Sequence, residues 1–376
     1  MRDHTVTTAP FAYYRPGDHD RQQGSGGSGG NNPPPSSGSG SPPTSPIQTT
    51  SIVDTRSNTG VIAQTNASWR DEFFVNTGLR LERNTGLTGI GEWETLPMFG
   101  TAYVHALGLA TVKFRSAYGK GIRPPQTSSR AGTLMGLDRS PFSQPLSAEK
   151  QSGIETGADL FVGHAIAFHV TRFDQRASGL IQPVSIAPPI LPGDTTRQRR
   201  IVYELQNVGE ITNRGWELEG AITARQFSIG ATYSTVASKV EKLATGYTGD
   251  LRVGDRMLEV PAKTLGVSAS MTQKRWSTSW SLSRASDWMN YDRIALASAF
   301  QNQTHTLGEF WGAQLRTYWR KYDGVTRLGG NFAYTLGGGL SLNLHGENLL
   351  DSQTGEPDNI TVVPGRTVTG GLRLSF

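Results

Sequence analysis

The final segment of the chain, residues 368–376, alternates between apolar and polar side chains. One set contains Leu372, Leu374 and Phe376, and the other contains Thr369, Arg373 and Ser375. Successive side chains of a β-strand point to opposite faces, so the pattern predicts a strand with one apolar and one polar surface. A soluble sheet can end in this way. A membrane-spanning β-barrel must close on itself, and a last strand with an aromatic residue at the membrane interface suits that need.

Composition narrows the class of protein. The chain has 376 residues, 45 glycines, no cysteine and a formal net charge of +5. No run of apolar residues approaches the length of about 18 that a membrane-spanning helix needs. The lack of cysteine excludes a disulfide scaffold and a thiolate metal site. The modest charge, with no block of Lys or Arg, gives no reason to expect a nucleic-acid partner.

Alternating segments recur along the chain from about residue 58. They are typical of half-buried strands, no amphipathic helix stands out, and we count roughly 13 strands. The clearest of these segments are residues 73–82, 110–115, 154–160, 265–271, 327–334 and 340–345. The sequence therefore predicts an all-β protein.

The connections between these strands differ in length in a regular way. Short turns are predicted near residues 71–72, 162–164, 224–226, 273–275 and 336–339. Long polar loops are predicted near residues 120–148, 183–199, 243–257, 291–320 and 351–363. Short turns at one end and long loops at the other are typical of outer-membrane barrels.

The amino-terminal part has a different composition. Residues 24–46 are almost entirely Gly, Ser, Pro and Asn, and such a segment cannot bury enough apolar surface to offset its ordering entropy. We therefore expect residues 1–57 to be largely disordered and residues 58–376 to form the folded portion. The first residues show no secretory signal peptide, which conflicts with an outer-membrane location.

Four segments carry short motifs in a fixed order. They are the aromatic strand and Arg-Pro-Pro loop of residues 114–125, the strand opening at 146–157, the Asn-x-Gly and Gly-x-Glu pattern of 207–219, and the ending built from 347–351, 364–366 and the terminal strand. Together these motifs resemble the carboxy-terminal half of TonB-dependent outer-membrane receptors over residues 58–376. Ala148 stands where the family usually has proline.

The resemblance implies a particular fold and location. Members of this family have a plug domain inside a 22-stranded barrel. No plug-like or TonB-box-like segment is recognisable here, so we expect a partial antiparallel transmembrane β-barrel, roughly the last 13 strands of a larger one. A truncated or split receptor, or a gene model that begins too late, would explain this. The implied location is the cell outer membrane, provided that the chain is exported.

The resemblance also implies a function and partners. The expected role is TonB-dependent uptake of a scarce nutrient of the siderophore, oligosaccharide or cobalamin type, with no cofactor and no enzyme chemistry. Expected partners are outer-membrane lipid and lipopolysaccharide, the barrel-assembly machinery, the nutrient, and TonB if a plug is supplied upstream. The alternatives are a passive or structural barrel, a secreted β-rich carbohydrate-binding or hydrolytic protein, and a receptor fragment without function.

In a barrel, the polar set of strand residues faces the lumen, because a charge at mid-membrane on the lipid face costs about 2–4 kcal/mol. These predicted lumen-facing and plug-facing residues are Arg80, Glu82, Lys113, Arg115, Glu155, Asp159, Glu217, Glu219, Arg327, His345, Glu347 and Arg373. Their charges could instead pair only with each other in a hydrated lumen. Glu217 and Glu219 have the spacing of a catalytic carboxylate pair, but a wholly charged face favours lining. His164, His169 and Asp174 lack metal-ligand spacing.

Ligand recognition is predicted in the long loops. Aromatic rings with interleaved Arg can stack on sugars or on aromatic siderophore groups, and Arg can pair with carboxylates or phosphates. The candidates are Arg123, Gln126, Arg197, Arg199, Arg200, Trp288, Tyr291, Trp311, Tyr318, Trp319 and Arg320. The same residues could instead form an aromatic girdle that touches lipopolysaccharide phosphates. The two interpretations remain open at this point.

Overall fold

The structure is a computed structural model that describes residues 2–10, 49–84, 93–123, 146–186, 202–302, 311–353 and 358–375. The chain divides into two compact units, residues 1–58 and 59–376. The predicted domain boundary after residue 57 lies close to this division and stays a prediction. The Gly/Ser/Pro/Asn-rich stretch, residues 24–46, lies wholly outside the described residues, and the expected disorder of residues 1–57 stays a prediction.

The first unit contains a pair of antiparallel strands. Strand β1 (Arg2–Pro10) pairs with the beginning of β2 (Thr49–Trp69), with Arg2 opposite Ser57 and Pro10 opposite Thr49. The rest of β2, from residue 59, belongs to the second unit.

The second unit is built on one antiparallel sheet. Its further strands are β3 (Phe73–Asn84), β4 (Trp93–Leu107), β5 (Ala110–Arg123), β6 (Glu149–Val162), β7 (Ile166–Ser178), β10 (Gly209–Ala224), β11 (Phe227–Leu243), β12 (Lys263–Thr272), β13 (Trp276–Ala285), β16 (Val325–Gly337), β17 (Leu340–Glu347) and β18 (Thr367–Leu374). Within the described residues, these strands and the second part of β2 make a sheet of 13 strands in sequence order. The all-β prediction is confirmed.

Two hairpins lie outside this sheet, within long connections. Strands β8 (Ile181–Ile186) and β9 (Val202–Asn207) form one hairpin, and β14 (Trp288–Tyr291) and β15 (Trp319–Tyr322) form the other. The second connection also contains helix α1 (Arg293–Asn302) and a short 3-10 helix (Gly312–Tyr318). The sequence predicted no helix here, because the apolar residues of this segment do not follow a helical repeat. None of the described helices has the length and apolar character needed to cross a membrane.

Connections alternate in length along the sheet. Short turns join β2 to β3, β4 to β5, β6 to β7, β10 to β11, β12 to β13 and β16 to β17, and long segments join the other neighbours. Because every pairing is antiparallel, all the short turns lie at one end of the sheet and all the long loops lie at the other. The predicted separation of turns and loops is therefore present, with an additional short turn at residues 108–109.

The two faces of the sheet differ in chemistry along whole rows of paired residues. One row places Val112, Leu160 and Phe168 side by side, on what we call the apolar face. A residue adjacent in sequence to each of these lies on the opposite, polar face. There, Lys113, Asp159 and His169 are paired across β5, β6 and β7. The sequence predicted this alternation because side chains in a strand have a period of two.

Candidate functional site

The hairpin β14–β15 and the loops around it pack into a compact layer at the long-loop end of the sheet. We call this layer the loop platform and define it as residues 244–262, 286–302, 311–324 and 358–361. At its first apolar centre, Leu251 of the platform packs with Val208 and Val240 of the adjoining sheet region, all three almost fully buried, and Tyr247 and Trp319 pack against them. Burial of these side chains holds loops that are distant in sequence against each other.

Asp250 is the polar centre of the platform. Its side chain accepts a hydrogen bond from the Tyr291 hydroxyl at 2.7 Å and another from Trp319 Nε1 at 2.6 Å. Burial, followed by the charge of Asp250, raises the pKa of the Tyr291 hydroxyl far above its ordinary value. One carboxylate therefore ties together both strands of the β14–β15 hairpin.

Arg316 forms a second link between the same loops. Its guanidinium donates to both carboxylate oxygens of Asp255, at 2.5 and 2.8 Å, and to the backbone oxygen of Asp250 at 3.1 Å. The guanidinium also lies 4.2 Å from the centre of the Trp319 ring, in cation–π geometry. Burial is the largest single influence and would raise the pKa of the Asp255 carboxyl, but the hydrogen bonds from Arg316 and from the Arg252 backbone, with the charges of these two arginines, together outweigh it and the pKa is lowered.

The other side of the platform has its own apolar centre. Trp288 and Tyr322 stack with ring centres 5.9 Å apart and planes at 3°, and Val325 packs beside them. The Tyr322 hydroxyl donates to the backbone oxygen of Tyr291 at 2.6 Å. Only 4% of Trp288 is exposed, so its ring supports the hairpin and does not face solvent.

Ion pairs connect the platform to the last long loop. Arg293 pairs with Asp358 at 3.3 Å, and Asn359 donates to Asp292 at 2.7 Å. Asp292 also accepts from Ala295 N at the start of α1, and from Arg320 at 3.1 Å. These bonds lower the pKa of the Asp292 carboxyl, with the backbone bond from Ala295 as the largest cause.

The structure gathers part of the predicted ligand-binding set into this platform. Tyr291, Trp319 and Arg320 lie in it together with Trp288 and Tyr318, and Trp311 directly precedes the 3-10 helix. Arg123 lies elsewhere, at the end of β5, where it is exposed and 3.4 Å from Glu149. Gln126, Arg197, Arg199 and Arg200 lie outside the described residues. Ligand contact by any of these residues stays a prediction.

On the polar face of the sheet, Arg115 is the centre of a connected group. It lies 3.3 Å from Asp159 and donates to the Thr171 hydroxyl at 2.7 Å. Asp159 also lies 3.0 Å from His169 Nδ1. Gly157 leaves room for the Arg115 side chain to reach Thr171 on β7. A Cβ atom at residue 157 would lie 2.6 Å from the backbone oxygen of Val170 and 3.1 Å from Arg115 Cζ.

The remaining predicted lumen residues occupy the same polar face in different local settings. Arg80 pairs with Glu82, Glu155 accepts from Gln175, and His345 bonds both Asn331 and Glu347. Arg327 and Arg373 lie on β16 and β18, and Lys113 lies on β5. Glu217 and Glu219 are exposed, and neither forms an ion pair with the described part of the chain.

Glu217 and Glu219 lie opposite hydroxyl and imidazole side chains in the register of the sheet. Glu217 lies opposite Thr171 and Ser234, and Glu219 lies opposite His169 and Thr232. No group of three or more His, Cys, Asp or Glu residues suitable for a metal occurs among the described residues. Both carboxylates lie on the polar face, and their role as lining residues stays a prediction.

Sequence analysis missed a hydroxyl-rich sector of the polar face. Ser277, Ser279, Ser281 and Ser283 alternate along β13, and the neighbouring β12 adds further Ser and Thr side chains. A groove of about 500 Å³ lies on this sector, with Asn331, Asn343 and His345 among its lining residues. The alternation of serine along β13 is the sequence pattern that could have predicted this sector.

Comparison with known proteins assigns the family. The model of the TonB-dependent receptor-like β-barrel matches residues 3–349 of this chain. The chain therefore belongs to the TonB-dependent receptor family, as the sequence motifs predicted. No curated protein matches.

Solved structures have the same fold at low sequence identity. The copper transporter OprC is 16% identical with a TM-score of 0.56, and the match covers 88% of this chain and 50% of that one. The siderophore receptor PirA from Acinetobacter baumannii is 14% identical with a TM-score of 0.58, covering 86% and 46%. The pyoverdine outer-membrane receptor FpvA from Pseudomonas aeruginosa PAO1, bound to pyoverdine, is 15% identical with a TM-score of 0.56, covering 87% and 43%. The chain spans about half the length of these proteins or somewhat less.

Family membership indicates what each face of the sheet would contact. The protein is an outer-membrane β-barrel chain of a family of transport receptors, which are not enzymes. We assign the polar face to the lumen, the apolar face to lipid and the long loops to the external end, as is general for outer-membrane barrels. On this assignment, which stays a prediction, the loop platform is an external structure above the lumen wall.

Proposed function

We propose that this chain forms the carboxy-terminal wall and external loops of a receptor that takes up a metal chelate with energy from TonB. Family membership supports the general class of transport. The named neighbours include a copper transporter and siderophore receptors, which favours a metal-containing cargo over an oligosaccharide or cobalamin. An oligosaccharide or cobalamin cargo remains a testable alternative.

The observation that carries the proposal is the loop platform. Its described part places Arg316, Arg320 and Trp319 on the same external layer, with Tyr291 and Trp319 fixed by Asp250. Arginine pairs with anionic groups, and aromatic rings stack on the flat rings of many metal chelators. An anionic or aromatic metal chelate therefore suits the chemistry of this surface. The buried Trp288 would support the surface without touching the cargo.

The lumen charges support a contact with a plug. Glu217, Glu219 and Lys113 are lumen-facing, and none forms an ion pair with the described part of the chain. Charges on a wall of low dielectric are most stable when a partner satisfies them. We propose that a plug, encoded outside the matched segment or supplied by another chain, takes that role. TonB would act through that plug. The barrel-assembly machinery would recognise the terminal strand, whose apolar side chains include Leu372 and Leu374.

Uptake in the source cell tests this function. Cells that carry or lack the gene are given ⁵⁵Fe bound to a catecholate or a hydroxamate chelator, and parallel samples receive labelled cobalamin or a labelled maltooligosaccharide. We expect gene-dependent uptake of an iron chelate that stops when a protonophore removes the driving force. Uptake that survives the protonophore would indicate a passive barrel. Gene-dependent uptake of cobalamin or sugar alone would replace the metal-chelate proposal.

A further inference from the structure

The polar face of the sheet changes its chemistry between β10 and β11. On β5, β6, β7 and β10 it carries long charged side chains, such as Arg115 and Asp159. On β11, β12 and β13, every polar-face residue within residues 228–234, 264–272 and 277–283 is Gly, Ser or Thr. We call these two parts of the polar face the charged sector and the hydroxyl sector.

The hydroxyl sector connects the two ends of the sheet. Ser277 and Ser283 lie near opposite ends of β13 (Trp276–Ala285), with alternating serines between them. At the short-turn end, residues 273–275 join β12 to β13. At the other end, only residues 286–287 separate β13 from β14, the first strand of the platform hairpin. The sector therefore extends from the loop platform to the short turns.

Short side chains leave open space along this part of the polar face. The groove of about 500 Å³ lies over β12 and β13 and over the strands that follow them in the sheet, β16, β17 and β18. Ser270, Ser279, Asn331 and Asn343 are among the residues that line it, and His345 is the only titratable side chain among its described lining residues. The volume lies within the range of about 300–1,000 Å³ that is usual for ligand pockets. The groove therefore has room for a ligand and offers it hydrogen bonds in place of ion pairs.

The hydrogen-bonding groups of this sector are alike and closely spaced. A hydroxyl both donates and accepts hydrogen bonds. Ser234 and Thr264 lie 2.7 Å apart across β11 and β12, and Asn331 donates to the Ser279 hydroxyl at 3.3 Å. Positions on one face repeat about every 4.8 Å across strands and about every 6.8 Å along them. A row of similar, weak sites lets a ligand enter and leave, whereas a single deep site would retain it.

We propose that the hydroxyl sector is a passage along which the cargo moves from the loop platform towards the short-turn end, bound through neutral hydroxyl or amide groups on its surface. A plug would dock on the charged sector, where side chains such as Glu217 and Lys113 are most stable beside counter-charges. The inference rests on the proposed transport function and adds to it a cargo with a neutral, hydrogen-bonding periphery. It does not depend on the metal that the cargo holds.

The reactivity of introduced thiols tests this division of the polar face. The chain has no cysteine, so a single Cys adds the first thiol to it. Ser281→Cys lies in the hydroxyl sector, and the control Ala167→Cys lies in the charged sector on the same row of paired residues, through Ala221, Gly230 and Ser268. Isolated outer membranes with either full receptor are treated with N-ethylmaleimide, which is small and neutral. Mass spectrometry of the peptide that carries the Cys gives each rate, which is divided by the rate in the urea-unfolded protein.

We expect Ser281→Cys to be labelled about tenfold faster than Ala167→Cys, because exposure controls the rate once intrinsic thiol reactivity is divided out. Equal rates, or faster labelling of Ala167→Cys, would overturn the passage. Heat modifiability shows whether each variant is folded. If either is not, Ser279→Cys and Ala221→Cys form the replacement pair, with the same expected order of rates.

Blocking the passage gives a second readout. Cells with either variant are treated with a bulky neutral maleimide and then given the two ⁵⁵Fe chelates, labelled cobalamin and labelled maltooligosaccharide. We expect loss of uptake after treatment of Ser281→Cys and unchanged uptake after treatment of Ala167→Cys. The same loss in both variants, or in neither, would overturn the passage. Cobalamin or sugar that is taken up and blocked in this way would keep the passage and replace the metal-chelate proposal. If no probe is taken up, the proposed function fails and the labelling rates alone decide the passage.

A further pair of variants separates the hydroxyl groups from the open space. Ser279→Ala/Ser281→Ala keeps the passage open and removes two hydrogen-bonding groups, whereas Ser279→Thr/Ser281→Thr keeps both groups. For the probe that is taken up, we expect the alanine variant to be several-fold slower and the threonine variant to keep most of the rate, since each lost hydrogen bond weakens the hold on the cargo. An alanine variant as fast as the unmodified protein would overturn recognition by the hydroxyl groups.

Discussion

At the scale of single residues, we expect the Arg316–Asp255 ion pair to be a main polar contribution to the stability of the loop platform. The folded protein lowers the pKa of Asp255, so the pair stabilises the platform above the ordinary range of a carboxyl and is lost as pH falls through the lowered pKa. We expect Asp255→Asn to cost about 1.5–3 kcal/mol locally. Limited proteolysis of residues 244–262 should become faster, and less dependent on acid than in the unmodified chain. Asp323→Asn, at an exposed carboxylate of the same platform, should change neither.

Tyr247 gives a prediction at alkaline pH. Burial, followed by the charges of Asp250 and Asp255, raises the pKa of its hydroxyl to about 12. Because this folded value lies above the ordinary one, the stabilisation is fully present below pH 10 and is lost as pH rises through 12. Absorbance titration at about 295 nm, where tyrosinate absorbs, should show that Tyr247→Phe removes one tyrosine from the step near pH 12. An unchanged step would contradict the burial of this ring.

Gly157 is predicted to be irreplaceable for packing reasons. A Cβ atom there would lie 2.6 Å from the backbone oxygen of Val170 and 3.1 Å from Arg115 Cζ. Gly157→Ala should therefore cost about 1–3 kcal/mol and separate Arg115 from Thr171. Gly119→Ala is the matched control on the adjacent strand, since nothing lies within 4 Å of its added atom. Urea unfolding followed by tryptophan fluorescence compares the two, and equal midpoints would show that the strands adjust freely.

At the scale of elements, the sequence predicted the strands much better than the platform. The strands of the main sheet follow a period of two, so β3, β5 and β12 are readable from local order alone. The parts of the platform have no such period. Asp250 accepts a hydrogen bond from Trp319, which is 69 residues away in sequence. Helix α1 begins at Arg293, with only Asp292 between it and the end of β14. Contacts of this kind are set by tertiary packing, which local patterns do not report.

The β14–β15 hairpin should unfold without disturbing the sheet. Trp288 is its main buried side chain, and Trp288→Ala should cost the platform about 3–5 kcal/mol. The ladder between β13 and β16 pairs Ala285 with Val325 and continues to Trp276 without help from the hairpin. Hydrogen exchange should therefore accelerate in residues 286–324 and stay slow in β13 and β16. Trp93→Ala, at a ring that is 51% exposed on the lipid face, should accelerate neither. Exchange that spread into β13 would show that hairpin and sheet fold together.

At the scale of the whole molecule, charge is divided between surfaces. The polar face carries a charged sector around Arg115 and a hydroxyl sector around Ser279, and the apolar face carries cations near its long-loop end. The sequence predicted which residues share the polar face, because alternation along each strand decides it. It could not predict the sectors, since they depend on which strands become neighbours in the sheet. The transported molecule could not be predicted from the sequence either, because the platform proposed to bind it is built from long-range contacts.

The assignment of the two faces yields a final prediction with a matched pair on one strand. Val267 lies on the lipid face of β12, between Ala231 and Leu282, and Ser268 beside it lies on the lumen face, between Gly230 and Ser281. Val267→Arg would place a charge among acyl chains at a cost of about 2–4 kcal/mol near mid-membrane, whereas Ser268→Arg would meet the hydrated lumen. Both variants add the same side chain one residue apart. We expect Val267→Arg alone to lower the amount of folded, heat-modifiable protein recovered from the outer membrane. If Ser268→Arg were the more harmful change, the assignment of the lumen and lipid faces would have to be exchanged.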